Sequence, residues 1–467
     1  MVINLVDNRR YYLDETIKKG CIDKDIDGKT KYFCSKTIFN TIKKFPNPLT
    51  TTDLDGVEFL EQKDDRNSET LILKVVTKNN ETYIQTGNMI GEFYFKNGKN
   101  SIVQINIGLR FDKDNNNNNI LEYLINYANA IYPNEIELQP KDKNKKSNSI
   151  AKLMLSMMYN HSLSRAFVMG LPTYYDDFYD KGYNVKGKID INTLISQELP
   201  FKGITPYIET KRVVEQNIGS ILLKAIEIVE HNLRSFTTLS QIKSSLKQAG
   251  IKPIVTNLTI QKALNSKTLK NLAYSEYKNA LNLAIMIIQG FKTPDWTNNT
   301  GLFYGYMTDI SKIWENYLVK LLRTNISDDW EIEVEPKLKL FKDPPKLYEF
   351  TNVMYPDIVL KHKTENKVIL FDAKFKQSNW FNREDFYKTA TYISYYQNQN
   401  SKYDVILSGQ IYPDVKADKI NENLGFLDSD VDFRLMGIDL SNIKHIKTYE
   451  KCFIEIINKL DKDKKGK

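Results

Sequence analysis

The sequence predicts a multidomain α+β protein with a β-rich N-terminal domain, a mainly helical middle region and a C-terminal mixed sheet flanked by helices. A chain of 467 residues is long enough for roughly two to four domains. β-Branched residues in part-alternating patterns concentrate in the first third, whereas leucine and methionine recur at helical spacing in the second. Helical and strand patterns alternate in the last third. We therefore place the domains at residues 1–145, 146–300 and 301–467.

Strand patterns characterise the N-terminal domain. Thr70–Val76, Thr82–Gln85 and Ser101–Ile107 are rich in β-branched side chains. Asn79-Asn80 and Asn97-Gly98 are dipeptides typical of the turns that join such strands. No cluster of titratable residues stands out, so the sequence predicts no chemistry here.

Helical periodicity dominates the middle region. Its apolar stripes lie in four segments: Ile150–Tyr159, Ile218–Val229, Leu258–Leu264 and Tyr277–Ile288. A polar, basic loop at residues 141–146 precedes them and marks the predicted boundary. The P-loop pattern G-x-x-x-x-G-K-[ST] occurs nowhere in the chain, so we do not expect this polypeptide to hydrolyse nucleotides itself.

The C-terminal domain follows the order helix, three strands, helix, strand. The predicted elements are a helix at Phe303–Arg323, strands at Trp330–Phe341, Tyr355–Leu360 and Leu370–Phe375, a helix at Glu384–Gln397 and a strand at Tyr403–Leu407. A further strand at Asp432–Ile438 and a final helix complete the pattern. This αβββαβ order predicts a mixed sheet with helices against it.

The second and third of these strands carry the candidate active site. Because side chains alternate along a strand, Asp372 and Lys374 share one face, and a hairpin with the preceding strand brings Asp357 beside Asp372. Two neighbouring carboxylates repel each other unless a cation joins them. Hard oxygen ligands of this kind suit Mg²⁺, with Mn²⁺ as the alternative ion. The other interpretation of the cluster is an ordinary salt bridge on an exposed hairpin.

Three neighbouring groups extend the predicted site. The backbone carbonyl of Ala373 lies between the two charged residues of its strand and is a further expected ligand. Glu315 lies at the edge of the apolar stripe of the preceding helix, where either a place at the metal or a solvated position fits. We expect Lys374 to orient the attacking water or to stabilise the phosphoryl oxygens.

The motif Pro356-Asp357 followed by Asp372-Ala373-Lys374, within the αβββαβ order, resembles the PD-(D/E)xK nuclease core. Three further segments, Gly187–Asp190, Glu215–Asn217 and Ile313–Leu318, precede it in the order seen in the McrC family. The resemblance spans roughly residues 171–413. It implies a Mg²⁺-dependent DNA endonuclease subunit of a McrBC-type, modification-dependent restriction system, which defends against phage.

The same resemblance implies the partners. McrC-type subunits dock on a McrB-like AAA+ GTPase hexamer that recognises methylated double-stranded DNA, with 5-methylcytosine as the modified base. Their N-terminal domain enters the channel of that motor and stimulates its GTPase, so the resemblance gives residues 1–145 a docking role. Two-component action of this kind fits the lack of a P-loop in this chain.

The chain departs from the family pattern near the site. Lys388 stands where the family usually has glutamine, four residues before Tyr392, and the spacing places both on one helical face. Tyr355 precedes the Pro-Asp pair where arginine is common. We expect Lys376, Lys388 and Tyr392 to contact the DNA, the lysines through backbone phosphates. Surface exposure without DNA contact is the alternative for Lys388.

Composition and sequence patterns indicate where the protein is located and which kinds of site to expect. The net charge of +8 is weak support for a polyanionic partner. No apolar run approaches the roughly 20 residues of a membrane span, and the N-terminus lacks a signal-peptide pattern. Cys21, Cys34 and Cys452 are too scattered for a zinc site or a disulfide framework. We therefore expect a cytoplasmic protein without a membrane partner.

Two other functions remain open from the sequence. One is a regulatory subunit that stimulates the motor without cutting, although the intact Asp357, Asp372 and Lys374 favour cleavage. The other is a stand-alone repair or transposition nuclease. An AAA+ GTPase encoded next to this chain would favour the restriction system over both.

Overall fold

A computed structural model of the chain describes residues 1–18, 20–26, 29–54, 57–59, 70–79, 81–96, 102–111, 119–128, 150–197, 200, 203–232, 237–290, 303–339, 353–376, 383–398, 403–413, 422–423, 431–441 and 443–463. These residues form two compact units, one of residues 1–151 with 296–467 and one of residues 152–295. The division into three domains stays a prediction. No helix in these ranges is both long and apolar enough to cross a lipid bilayer.

The N-terminal part of the first unit is rich in strands, as predicted. Its elements are β1 Val2–Val6, β2 Arg10–Leu13, β3 Cys21–Ile26, β4 Lys29–Cys34, α1 Lys36–Ile42, β5 Leu49–Thr50, β6 Val57–Phe59, β7 Leu71–Lys78, β8 Glu81–Thr86, β9 Met89–Lys96, β10 Ile102–Gly108 and α2 Asn119–Ala128. Asn79, in the predicted turn between β7 and β8, has a positive φ of 51°, as residues in tight hairpin turns often do. The predicted turn at Asn97-Gly98 and the loop at residues 141–146 lie outside the described residues.

The second unit combines helices with a small sheet. Its elements are α3 Ile150–Phe167, β11 Thr173–Gly182, β12 Lys188–Ile189, α4 Ile191–Gln197, β13 Thr205–Val214, α5 Gln216–Asn232, α6 Thr237–Gln248, α7 Asn257–Leu264 and α8 Tyr277–Gly290. The helical prediction missed the antiparallel sheet β11-β13-β12. Most of β11 is exposed on both faces, so its sequence lacks the alternation that marks a half-buried strand.

The C-terminal part of the first unit contains the predicted mixed sheet. Its elements are β14 Phe303–Asp309, α9 Ile310–Asn325, β15 Trp330–Val334, β16 Leu338–Lys339, β17 Val353–Met354, β18 Ile358–His362, β19 Lys367–Ala373, α10 Arg383–Asn398, β20 Asp404–Pro413, β21 Glu422–Asn423, β22 Asp432–Ile438 and α11 Ile443–Asp463. The sheet order is β15-β18-β19-β20-β22-β21. Strand β20 runs parallel to β19 and β22, and β18 is antiparallel to β15 and β19.

Two N-terminal sheets share one apolar core. The first has the order β3-β4-β2-β8-β7-β5, and the second has the order β1-β10-β9-β14-β6. Their facing side chains, among them Ile3, Ile72 and Phe93, are fully buried in this core. Strand β14 thus adds a segment from beyond residue 300 to a sheet of N-terminal strands.

The predicted helix at Phe303–Arg323 is wrong in its first seven residues, which form β14. At Gly305 a side chain cannot fit, because a Cβ atom there would lie 2.2 Å from the backbone oxygen of Glu92 on β9. The helix α9 begins only after Asp309, whose side chain accepts a hydrogen bond from the Ser311 amide at 2.9 Å.

Two strand predictions differ in length. The predicted strand Trp330–Phe341 breaks after Val334, because Glu335 has a φ of 48° and Pro336 follows it without an amide hydrogen. The predicted strand at Tyr403–Leu407 instead continues to Pro413. That extension matters, since the added residues lie beside the candidate site.

Candidate active site

The antiparallel register of β18 and β19 sets the two predicted carboxylates side by side. Ile358 pairs with Phe371, so the preceding Asp357 faces Asp372. The Oδ2 atom of Asp357 accepts a hydrogen bond from the Ala373 amide at 2.7 Å. Both carboxylates are buried, with exposed fractions of 5% for Asp357 and 3% for Asp372. The sheet therefore holds two acidic side chains together in a buried environment.

The lysine of the motif completes this cluster. The Nζ atom of Lys374 lies 2.5 Å from Oδ2 of Asp372. This contact is an ion pair between the ammonium and the buried carboxylate. Burial and the Asp357 carboxylate together raise the pKa of Asp372, although Lys374 opposes them. Burial lowers the pKa of Lys374, but the two carboxylates outweigh it and raise that pKa.

The donor set of this cluster fits a divalent cation with oxygen ligands. Two carboxylates, Asp357 and Asp372, share the ammonium of Lys374, so a bound cation would offset the repulsion between them. Mg²⁺ commonly takes one or two carboxylates and keeps several waters. The described residues contain no group of three or more His, Cys, Asp or Glu that could enclose a metal. Two carboxylates are the number of protein ligands that Mg²⁺ commonly takes, so the pair fits this ion.

Glu315 lies inside the protein, which rules out the solvated position. It is 3% exposed on α9, and its Oε2 lies 3.5 Å from Nζ of Lys312. Lys312 also contacts Oε1 of Glu335 at 2.8 Å, and the Glu335 amide donates to the Asp357 carbonyl at 3.1 Å. The structure therefore links Glu315 to the Asp357 strand through Lys312, and its role as a metal ligand stays a prediction.

The three predicted DNA contacts lie in different environments. Lys376 forms an ion pair with Asp385. Lys388 is exposed on α10. Tyr392 is 5% exposed, and its hydroxyl donates to the Tyr355 carbonyl at 3.0 Å. Tyr392 thus fixes the segment before Asp357 and has no ring surface to offer DNA here, whereas Lys388 does face solvent.

Sequence reasoning missed a polar network beside the carboxylates. Gln410 on β20 pairs with Asp372 in the parallel register and is fully buried. Its Nε2 donates to Thr389 Oγ1 at 3.1 Å, and its Oε1 accepts from the Tyr412 hydroxyl at 2.6 Å. Burial and then the carboxylates of Asp385 and Asp372 raise the pKa of Tyr412. A lone glutamine within an apolar strand was the signal in the sequence.

A buried ion pair between residues that follow β1 and β10 packs against the segment that follows β19. Nη1 of Arg110 contacts Oδ2 of Asp7 at 2.6 Å, and both side chains are fully buried. The Arg110 guanidinium lies 4.6 Å from the centre of the Phe375 ring. Phe375 directly follows Lys374 in the sequence. Trp314 of α9 contacts the same ring edge to face, with 6.1 Å between ring centres. These contacts therefore hold the residue that follows Lys374 in place.

Comparisons with known proteins agree on one family. A family model described as McrBC 5-methylcytosine restriction system component matches residues 84–413, which is more than half of the chain. No curated protein matches the chain.

Two solved structures are similar to the chain. One is a refined half-complex from a tetradecameric assembly of Thermococcus gammatolerans McrB AAA+ hexamers with bound McrC. Its identity is 13%, its TM-score is 0.50, and the alignment covers 98% of this chain and 100% of that chain. The other, the cryo-EM structure of the Thermococcus gammatolerans McrBC complex, has 14% identity and a TM-score of 0.33, covering 70% of this chain and 89% of that chain. At this identity the first likeness supports the fold alone.

Proposed function

Since the chain belongs to the McrBC 5-methylcytosine restriction system component family, we propose that it is the DNA-cutting subunit of a two-component, modification-dependent restriction system. The proposed reaction is hydrolysis of a phosphodiester bond with Mg²⁺ as cofactor. The proposed core is of the PD-(D/E)xK type, with α9, β15, β18, β19, α10 and β20 as its αβββαβ elements.

One observation carries this proposal. Asp357, Asp372 and Lys374 come from two strands and converge in one buried cluster, with an ion pair of 2.5 Å between Asp372 and Lys374. An ordinary surface salt bridge would leave these groups exposed and their pKa values near normal. Here burial raises the pKa of Asp372, which is typical of a site built to receive a cation.

Each residue of the cluster has a proposed role in the reaction. Asp357 and Asp372 would hold Mg²⁺ through their carboxylates, with the Ala373 carbonyl and Glu315 as further proposed ligands. When bound, the ion supplies positive charge against the charge that develops on the phosphodiester. Lys374 holds its ammonium beside Asp372, where it orients the attacking water and stabilises the phosphoryl oxygens.

DNA binding is proposed for the lysines around this cluster. Lys388 is exposed on α10 and is free to approach a backbone phosphate. Lys376 must first leave its ion pair with Asp385. Contacts of this kind give salt-dependent affinity without sequence preference, so recognition of the modified base is assigned to the partner.

The proposed partner is a McrB-like AAA+ GTPase hexamer. In the Thermococcus gammatolerans assembly, McrC is bound to McrB AAA+ hexamers. This chain has no P-loop pattern in its sequence, so the nucleotide chemistry would come from that partner.

A cleavage assay tests the proposal. The purified chain is combined with the AAA+ GTPase of the same system, GTP, Mg²⁺ and methylated or unmethylated DNA. We expect cleavage of methylated DNA that chelation of Mg²⁺ abolishes. Asp372→Asn and Lys374→Ala should lower cleavage by at least about 10²-fold, the scale on which loss of one transition-state contact acts.

Lys363→Ala is the matched control, since Lys363 is exposed in the β18–β19 turn. It should cut like the unaltered chain. If the two site variants cut as fast as this control, the assignment of the active site is wrong. If the unaltered chain stimulates the GTPase but leaves all DNA intact, the chain is instead a regulatory subunit.

A further inference from the structure

Asp385 lies where two of the functional lysines meet. It is in the first turn of α10, and its side chain is 14% exposed. Its Oδ2 forms an ion pair with Lys376, and its Oδ1 lies 3.8 Å from Nζ of Lys374. One carboxylate therefore contacts both the lysine of the DxK motif and a lysine proposed to bind DNA.

A chain of hydrogen bonds fixes this turn of α10 to the sheet. The Thr389 hydroxyl donates to the Asp385 carbonyl at 2.9 Å. Gln410 donates to that hydroxyl at 3.1 Å, and Tyr412 donates to Gln410 at 2.6 Å. Because Gln410, Thr389 and Tyr412 are fully or almost fully buried, the turn is held in place from β20 rather than by solvent-exposed contacts.

The ion pairs of Lys374 and Lys376 indicate how Asp385 affects each lysine. Lys374 already pairs with Asp372 at 2.5 Å, so it has a carboxylate of its own. Lys376 has its ion pair with Asp385, and its side chain is only 22% exposed. A DNA phosphate that binds Lys376 must therefore displace Asp385, and a partly desolvated ion pair resists this more than an exposed one.

We propose that Asp385 is a positioning residue that holds the Lys374 ammonium as a second carboxylate besides Asp372 and competes with DNA phosphate for Lys376. This inference rests on the proposed nuclease function. Removal of the Asp385 charge then has two opposite effects. DNA binds more tightly because Lys376 is released, and the chemical step slows because Lys374 loses one of its two ion-pair contacts, which are to Asp372 and Asp385.

Asp385→Asn tests this, with Glu384→Gln as the matched control, since Glu384 is the exposed acidic residue of the same helical turn. The first readout is acetylation of lysine amines, followed by mass spectrometry, without DNA or metal. We expect Lys376 to react several-fold faster in Asp385→Asn only. Lys312, which pairs with Glu335 at 2.8 Å, serves as the internal reference for folding.

The second readout is binding of double-stranded DNA over a series of KCl concentrations without Mg²⁺. One added phosphate contact makes the slope of log K against log [salt] steeper by about 0.9. In the cleavage assay with the motor, Asp385→Asn should lower both KM and kcat. Asp385→Glu, which keeps the charge, should recover slow Lys376 acetylation and the original salt slope.

Equal acetylation and equal salt slopes in Asp385→Asn and Glu384→Gln would overturn the inference. Faster acetylation at Lys312 as well as Lys376 would show general loosening and overturn it too. If acetylation and salt slope change as expected while the unaltered chain never cuts DNA, the competition between Asp385 and DNA phosphate for Lys376 stands, and the nuclease proposal fails together with the role of Asp385 in the chemical step.

Discussion

Arg110→Met should destabilise the first unit strongly, because it leaves the buried carboxylate of Asp7 without its ion-pair partner. Both side chains are fully buried, and Nη1 to Oδ2 is 2.6 Å. Breaking one side of such a pair costs about 3–5 kcal/mol. The guanidinium also lies 4.6 Å from the ring centres of Phe111 and Phe375, so the substitution removes cation–π contacts as well.

Urea unfolding measures this loss. With an m value of about 3 kcal/mol/M, a loss of about 4 kcal/mol lowers the midpoint by about 1.3 M. The double variant Asp7→Asn with Arg110→Met replaces both charges, and Asn at position 7 can still accept the hydrogen bond that the Arg110 amide now donates at 2.7 Å. The double variant should lose less unfolding free energy than Asp7→Asn and Arg110→Met lose in sum, by about 0.5–3 kcal/mol.

Lys36→Ala provides the control. Lys36 pairs with Glu15 at 2.9 Å, but their side chains are 62% and 66% exposed, so water replaces the contact readily. We expect an unchanged urea midpoint for this variant. Strict additivity in the double variant, or an Arg110→Met midpoint equal to that of Lys36→Ala, would refute the reasoning from burial.

Two further predictions concern the metal and the thiols. Glu315→Gln should raise the Mg²⁺ concentration for half-maximal cleavage by about 10-fold. Glu335→Gln, which changes only the other partner of Lys312, should leave that concentration unchanged. Equal Mg²⁺ titrations of the two variants would exclude Glu315 as a ligand. Burial raises the pKa of Cys21 and of Cys34 to about 12, so both thiols stay protonated at pH 8, while Cys452 is exposed. Iodoacetamide at pH 8 should therefore modify Cys452 first, as read by mass spectrometry, and early modification of Cys34 would contradict the structure.

The nuclease-like motif was predictable because its contacts are local. Asp357 and Asp372 are joined by a short hairpin, and the two-residue period of strands alone places Lys374 on the face of Asp372. Helices α9, α10 and α11 were predictable for a similar reason, since each has an apolar stripe at helical spacing against the sheet.

Contacts between distant segments were not predictable in this way. Strand β14 has helix-compatible apolar spacing, and only its pairing with β9 decides that it is extended. The role of Gln410 depends on the parallel register of β20 beside β19, which no local pattern encodes. The exposed strand β11 has no buried face, so its sequence lacks the alternation that predicts a strand.

The amino-acid order by itself thus determined the family, the hairpin and the acidic pair with its lysine, because side-chain alternation acts over a few residues. Only the tertiary structure decided which groups surround them. Asp385 and Lys376 meet because α10 packs on the sheet, and Asp7 and Arg110 meet because β1 and β10 are neighbours despite their distance in the chain. Burial and charge pairing depend on such long-range contacts, so they appear only when the chain is folded.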